Sequence, residues 1–198
     1  MNVTQLITSK GYPCQEHSVQ TADGFILGVQ RIPYGKTNTG ISSRPVVLLQ
    51  HGLLSCSSCW VENLVDQSLG FILADAGMDV WLGNNRGNTY SRRHIKYKPT
   101  DEEFWAFSEA MSLLFLQSIP PLYHVDQMRT PVALFTGTND FLADPIDVEN
   151  LMGKLTNSIV YHKDIDGWEH LDFIWAMDAA KECYKEIVDQ IRKYENIG

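Results

Sequence analysis

The sequence predicts an α/β fold with a mostly parallel sheet flanked by helices, and three stretches of the chain favour it. The runs PVVLLQHG (45–52) and MDVWLGN (78–84) are continuously apolar, as strands buried on both faces of a parallel sheet are. Between them, DQSLGFILADAG (66–77) places apolar residues at helical spacing. Together they predict a strand, helix, strand unit, whose connection almost always crosses over right-handed. A chain of 198 residues is long enough for one core.

Further strands are predicted towards both ends of the chain. Near the N-terminus, SVQTADGFILGVQRIP (18–33) predicts two short strands joined by a turn at Asp23-Gly24. Later, VALFTGT (132–138) and SIVYHKDI (158–165) repeat the pattern of a buried strand. We therefore expect one partial α/β domain over the whole chain.

The helices between these strands carry recognisable end signals. Ser68 is the expected N-cap of the first helix and Gly77 its stop. The next helix is expected to begin with Asp144 as N-cap and Pro145 in the first position. Its predicted buried stripe consists of Val148, Leu151, Met152 and Leu155. The last predicted helix, 177–194, repeats apolar residues at intervals of three and four.

Charge and composition exclude several classes of partner. The formal net charge of −8 disfavours nucleic acid, because the summed field repels a phosphate backbone. No run is apolar over the length that a bilayer requires, so we expect no transmembrane segment. The start MNVTQLITSKGYP lacks the basic residues and apolar stretch of a signal peptide. On this sequence we expect no export signal.

The four cysteines are too few and too scattered for a disulfide scaffold. Cys56 and Cys59 form a C-x-x-C pair, but no second pair completes a zinc site and no redox-type βαβ context surrounds it. We interpret them as ordinary thiols, with a metal or redox site as the alternative. The expectation is that the chain uses no metal and no cofactor.

Two glycine pairs have the spacing of the nucleophile elbow, G-x-S-x-G, but neither encloses a serine. GNNRG (83–87) has Asn85 at the central position. GFILG (24–28) has Ile26 there and lies within the predicted N-terminal hairpin. The sequence therefore contains no elbow with a serine nucleophile.

Residues that follow the predicted strands are the candidates for chemistry, because ligands sit at the carboxyl ends of strands in open parallel sheets. The turn 51–54, His-Gly-Leu-Leu, follows the first parallel strand, where backbone N–H groups can face a developing oxyanion. Asp140 follows the strand 132–138, and His170 follows the last strand. This order matches the acid and base of an α/β-hydrolase triad. The alternatives are a turn-forming Asp140, a solvated His170, and Asp144 as the acid.

Several longer blocks of sequence are informative together: GYPCQEHSVQTADGFILGVQRIPYG, LLQHGLL, SLGFILADAGMDVWLGNNRGNTYSRRH, DEEFWAFS, GTNDFLADPIDV and EHLDFIWAMDA. These blocks resemble the acid lipase family of gastric and lysosomal lipases. The resemblance implies an α/β-hydrolase that cleaves acyl esters of neutral lipids, either triacylglycerol or cholesteryl ester, in the secretory pathway or lysosome. It also implies an oxyanion-hole N–H from Leu53, the triad acid at Asp140 and the base at His170.

The resemblance also implies a large internal deletion. In the family GNNRG matches a strand-end loop that commonly has a serine at the position of Asn85, and the elbow, G-H-S-Q-G, comes later. Here only 109–117, EAMSLLFLQ, stands where the family has the nucleophile strand, its helix and the cap. We therefore expect a truncated α/β-hydrolase domain with lipase-like parts at 1–108 and 118–198. One hypothesis is that the strand at 132–136 pairs with the strand at 46–51 and closes the gap. The alternative is a partly open sheet with exposed apolar edges that is prone to aggregation.

Three functional hypotheses remain open on sequence alone. The first is an acid-lipase-family protein that lacks turnover because its serine is missing. The second is a non-catalytic protein that binds neutral lipid or another partner, including at a peripheral lipid interface, and the third is a chain without function. The family favours a secreted or lysosomal location, and the missing signal peptide leaves retention in the cytoplasm as the alternative.

Overall fold

A computed structural model describes residues 1–37, 43–107 and 124–195. The chain forms two compact units, Met1–Pro120 and Pro121–Gly198. The expected junction at 109–117 lies outside the described residues. That the two units together make a single domain stays a prediction.

The N-terminal unit is built on a five-stranded sheet in which β1, β2, β4 and β3 follow one another and β5 pairs with β2. Only the β3 and β4 pair is parallel, and the other pairs are antiparallel. The strands are β1 (Gln15–Gln20), β2 (Phe25–Ile32), β3 (Val46–Gln50), β4 (Asp79–Gly83) and β5 (Arg93–His94). The predicted hairpin is confirmed, with its turn closed by Gly24, whose φ is +94°.

Helices pack against this sheet and complete the core of the N-terminal unit. The α-helices are Val3–Ser9 and Leu69–Asp75, and 102–107 is also helical. Short 3₁₀ helices cover Ser57–Trp60 and Val65–Gln67. Fully buried apolar side chains include Ile7, Ile32, Phe71, Leu73, Val80, Leu82 and Phe104.

The prediction that both strands of the parallel pair are buried on two faces is confirmed for β4 and wrong for β3. Every residue of β4 is buried or half-buried, since the strand has a neighbour on each side. On β3, Val46 and Leu48 are 69% and 62% exposed. These two side chains lie on one face, because residues two apart in a strand point the same way. β3 is at the end of the strand order, so this apolar face belongs to an edge strand.

The C-terminal unit is built on the parallel pair β6 (Val132–Gly137) and β7 (Ile159–Ile165). Its α-helices are Pro145–Lys154, Asp172–Trp175 and Lys185–Glu195. A 3₁₀ turn at Val125–Gln127 precedes β6, and a π-helical segment at Ala180–Tyr184 precedes the last helix. Its buried apolar residues are Leu155, Ile165, Trp168, Ala179, Cys183, Tyr184 and Val188.

The α/β class is confirmed, but three details of the expectation are wrong. Three of the five described strand pairs are antiparallel, so the sheet is mixed. β3 and β6 belong to different sheets, so the expected pairing between them is not formed. No residue of Pro145–Lys154 is buried, and of the predicted stripe only Leu155, directly after the helix, is. The sheet of the C-terminal unit has only two described strands, so its face is too small to bury one side of this helix.

Among the described residues, no helix combines the length and the apolar character that crossing a bilayer requires.

Candidate active site

The loops after β6 and β7 meet because the two strands end in register, with Gly137 opposite Ile165. The N–H of Thr138 donates to the carbonyl of Ile165 over 3.2 Å, and the N–H of Asn139 donates to the carbonyl of Trp168 over 3.0 Å. A Cβ at position 137 would lie 2.4 Å from the Trp168 carbonyl oxygen. Glycine at this position therefore permits the close approach of the two loops.

Asp140 and His170 form a hydrogen-bonded pair across these loops. His170 Nδ1 lies 3.0 Å from Asp140 Oδ2. The other carboxylate oxygen accepts the N–H groups of Leu142 and Ala143, each over 2.8 Å. The Asp140 side chain is 3% exposed and that of His170 49%. Because Nδ1 faces the carboxylate, it carries the proton, and Nε2 has a lone pair available as a base.

The surroundings of Asp140 hold its carboxyl group in the ionised form. Burial raises its pKa, but the hydrogen bonds from Ala143, His170 and Leu142 outweigh burial, so the pKa lies below its ordinary value. An ionised Asp140 fixes the tautomer of His170 and stabilises the imidazolium that forms when Nε2 takes a proton. The pair thus has the geometry of the acid and base of a triad.

Asp144, the competing acid, has a structural role. Its Oδ1 accepts the N–H of Ile146 over 2.9 Å, and it is the N-cap of Pro145–Lys154 as predicted. The capping bond occupies one carboxylate oxygen at the helix start. Of the two candidate acids, Asp140 is the one that contacts His170.

In the N-terminal unit, a buried His51 holds the turn that follows β3. Its Nε2 accepts the backbone N–H of Asn85 over 3.1 Å, so Nδ1 carries the proton and donates to the Gly52 carbonyl over 2.8 Å. Asn88 Nδ2 also lies 3.1 Å from Nε2. A neutral His51 therefore ties the turn after β3 to the loop after β4.

This turn exposes the residues expected to face an oxyanion. Leu53 and Leu54 are 92% and 99% exposed, and the Leu53 N–H has no acceptor within the described part of the chain. Leu54 has a φ of +57°, which a leucine adopts at a cost of about 1–2 kcal/mol. A free donor beside a strained backbone position is typical of a functional loop.

The GNNRG segment is a strand-end loop and not an elbow. Gly83 ends β4, and Gly87, with a φ of +84°, lies in a turn that leads to β5 and not to a helix. Buried Asn84 holds the loop: its Oδ1 accepts the Ser57 N–H over 3.0 Å, and its Nδ2 donates to the Gly28 carbonyl over 3.0 Å. Asn85 points outward and is exposed.

The turn after β3 and the loop after β4 form one wall of a cavity of about 670 Å³. This volume is within the range of ligand sites in proteins, roughly 300–1,000 Å³. Its lining residues are His51 to Ser55, Asn85 to Thr89, Arg92, Trp105 and Phe107.

The roles of four residues around this cavity were not predicted from the sequence. The side chains of His51 and Asn84 hold the two loops by hydrogen bonds, and Arg92 and Trp105 line the cavity. A histidine directly after a buried strand was the signal for His51. Asn84 and Arg92 had no comparable signal, because their partners are distant in sequence.

In the described ranges, no group of three or more His, Cys, Asp or Glu side chains lies close enough together to hold a metal ion. Cys56 and Cys59 are free thiols, and burial raises the pKa of Cys59 to about 11.

Solved structures share this fold. An esterase of Pyrococcus furiosus matches with a TM-score of 0.61 at 13% identity, covering 98% of this chain and 96% of that one. A serine hydrolase homologue from Coxiella burnetii matches with a TM-score of 0.55 at 14% identity, covering 89% and 96%. The chain thus has the α/β-hydrolase fold in a shortened form.

Sequence comparisons give the family. Residues 3–64 match the family described as a partial alpha/beta-hydrolase lipase region. Gastric triacylglycerol lipase of Rattus norvegicus is 30% identical over 362 residues, covering 96% of this chain and 91% of the relative. Lysosomal acid lipase/cholesteryl ester hydrolase of Homo sapiens is 28% identical, covering 98% and 92%. The chain belongs to the acid lipase family of gastric and lysosomal lipases.

The same comparison bears on the expected deletion. The match to the rat lipase extends over 362 residues, whereas this chain has 198. Since the match includes 96% of this chain, a long internal part of the relative has no counterpart here.

Proposed function

We propose that this chain is an acid-lipase-family protein of neutral-lipid ester metabolism that retains the acid and base of the triad but does not turn over esters. Asp140 is the acid, His170 the base, and the Leu53 N–H the oxyanion donor. The observation that carries the proposal is the 3.0 Å contact between Asp140 and His170 in a sequence without an elbow serine. The substrate class is the triacylglycerol or cholesteryl ester of the relatives.

The missing serine decides the activity, because the general base takes its proton from the nucleophile, and the oxyanion donor stabilises the tetrahedral intermediate that forms only after the nucleophile attacks. Removing the nucleophile of such a triad costs about 10⁶ in turnover, equivalent to about 8 kcal/mol of transition-state stabilisation. A second oxyanion donor is normally the N–H after that serine, and it is missing with the elbow. If His170 activated a water molecule instead, general-base catalysis would raise the rate of hydrolysis by only about 10²–10⁴-fold.

The test is hydrolysis of tributyrin and a short-chain aryl ester by the purified chain, alongside a His170→Ala variant. We expect both proteins to match the buffer rate. A rate above buffer that disappears in His170→Ala would show that the chain retains esterase activity, and the proposal would be wrong.

A second candidate function is lipid binding without turnover, and the cavity of the N-terminal unit favours it. Leu53 and Leu54 extend into solvent at its rim, and Trp105 and Phe107 contribute apolar wall. Exposed apolar side chains around a cavity of this size are typical of a ligand or lipid contact.

Vesicles of a neutral phospholipid with dissolved triolein test this second function. We expect a Leu53→Ser/Leu54→Ser variant to bind them more weakly than the unsubstituted chain, and His170→Ala to bind them equally. Equal binding by all three proteins would exclude the cavity rim as the contact.

For location, we propose the secreted or lysosomal route of the relatives, with the cytoplasm as the alternative. Asn2-Val3-Thr4 has the acceptor pattern for N-glycosylation, and Asn2 is exposed. On this route, the chain expressed in animal cells should shift in mass on endoglycosidase treatment, and Asn2→Gln should remove that shift. A chain without a glycan in the cytosolic fraction would contradict the proposed location.

A further inference from the structure

We propose that the cavity of the N-terminal unit binds the carboxylate of a long-chain fatty acid, with Arg92 and Asn85 as its polar end. This inference rests on the lipid-binding function proposed above and gives the chemical class of the ligand. It follows from the charge, the hydrogen bonding and the apolar surface of the cavity wall.

The wall of this cavity is positively charged although the chain as a whole is negative. Among the described residues that line it, none is acidic and two are arginines, Arg86 and Arg92. Arg86 is neutralised, because it forms an ion pair with Asp23. Arg92 is exposed and has no carboxylate partner within the described part of the chain. The cavity therefore presents one uncompensated cation, which favours a monoanion.

Arg92 is held in place by an aromatic ring. Its Cζ lies 5.5 Å from the centroid of the Trp105 ring, and Trp105 Nε1 donates to the Pro99 carbonyl over 2.9 Å. This cation–π contact restrains the guanidinium beside the ring, and the fork of its N–H groups matches the geometry of a carboxylate. Arg92 is thus positioned as an anion receptor.

Asn85 adds a neutral donor to the same cavity. Its Oδ1 accepts from Gln50 Nε2 over 3.1 Å, so its amide NH₂ is the free end of the group. That NH₂ has no acceptor among the described residues. An NH₂ group and a guanidinium can together surround a carboxylate.

The apolar part of the cavity favours a ligand with an alkyl chain. Leu53, Leu54 and Phe107 supply hydrocarbon surface in a space of about 670 Å³. Because burying apolar surface stabilises a complex, a carboxylate with an alkyl chain should bind more tightly than acetate. A long-chain carboxylate satisfies both the charge and the apolar wall.

The test is a titration of the intact chain with oleate, methyl oleate and acetate below the aggregation concentration of oleate, followed by calorimetry. The variants are Arg92→Ala, Arg92→Met, which keeps an apolar stem beside Trp105, and the control Arg93→Ala. Arg93 has the same charge, donates to Ser18 over 2.8 Å and does not line the cavity.

We expect oleate to bind at least about tenfold more tightly than methyl oleate, as a charge-assisted hydrogen-bonded pair implies. Both Arg92 variants should lose this preference and keep the affinity for methyl oleate, and Arg93→Ala should keep both. The inference is overturned if Arg93→Ala behaves like Arg92→Ala, if the Arg92 variants retain the preference, or if acetate displaces oleate. Failure of every lipid to bind would instead remove the lipid-binding function on which the inference rests.

Discussion

At the scale of single residues, Asp140 is the group on which the acid and base pair depends. It accepts two backbone N–H groups and contacts His170, and these bonds lower its pKa. A carboxyl group whose pKa is lower in the folded state stabilises that state above its unfolded pKa, about 3.9, and this contribution is lost as the pH falls through the folded pKa.

Asp140→Asn should therefore lower the free energy of unfolding at pH 6 by about 1–3 kcal/mol, as for hydrogen bonds to a charged group. The difference should shrink as the pH falls below about 4, because the carboxyl group of the unsubstituted chain then becomes protonated, first in the unfolded state and at lower pH in the folded state. Urea unfolding at pH 6 and pH 3 measures this. Asp189→Asn, an exposed residue of the last helix, is the control and should change little at either pH. A difference that is constant with pH would contradict the proposed role of charge.

Leu54 provides a second test at this scale. Since leucine with a φ of +57° is strained and glycine is not, Leu54→Gly should raise the free energy of unfolding by up to about 1 kcal/mol. The neighbouring Leu53 does not have a positive φ. Leu53→Gly should therefore lower the free energy of unfolding, because glycine gives the unfolded chain more conformational freedom. Thermal unfolding of the two variants compares them directly. Equal effects would show that the turn after β3 is not strained.

At the scale of elements, the loops after β6 and β7 bring the acid and base together, and Gly137 permits their approach. Gly137→Ala should destabilise the C-terminal unit by about 1–3 kcal/mol, because the added methyl group meets the Trp168 carbonyl. Gly153→Ala is the matched control: nothing lies within 4 Å, and the residue is helical, so up to about 1 kcal/mol of stabilisation is expected. Urea unfolding followed by circular dichroism distinguishes them.

The sequence allowed most elements to be predicted, and the misses have physical causes. The bounds of β4, β6 and β7 follow from apolar runs, and Asp144 marks a helix start, since both signals are local. The exposure of β3 and of the helix Pro145–Lys154 depends on what covers them, which local patterns do not contain. The proximity of Asp140 to His170 could be predicted from strand order, but the hydrogen bonds of His51 and Asn84 join distant segments.

At the scale of the whole molecule, β3 ends the strand order of its sheet among the described residues and exposes the apolar side chains of Val46 and Leu48. An exposed hydrophobic edge favours association between chains. Leu48→Lys should therefore raise the protein concentration at which oligomers appear, because it places a charge on the exposed face of β3. Val19→Lys is the control: it adds the same charge to β1 at a half-exposed residue with exposed neighbours. Light scattering over a concentration series measures the concentration at which oligomers appear. If both variants raised that concentration equally, the cause would be the added net charge and not the exposed face of β3.

On the function proposed above, His170 and Asp140 have no hydroxyl nucleophile to activate. Intact-mass spectrometry after incubation with a serine-reactive fluorophosphonate tests this most directly, with a full-length gastric lipase as the positive control. We predict an adduct on the control enzyme and an unchanged mass for this chain. An adduct on this chain that is lost in His170→Ala would contradict it.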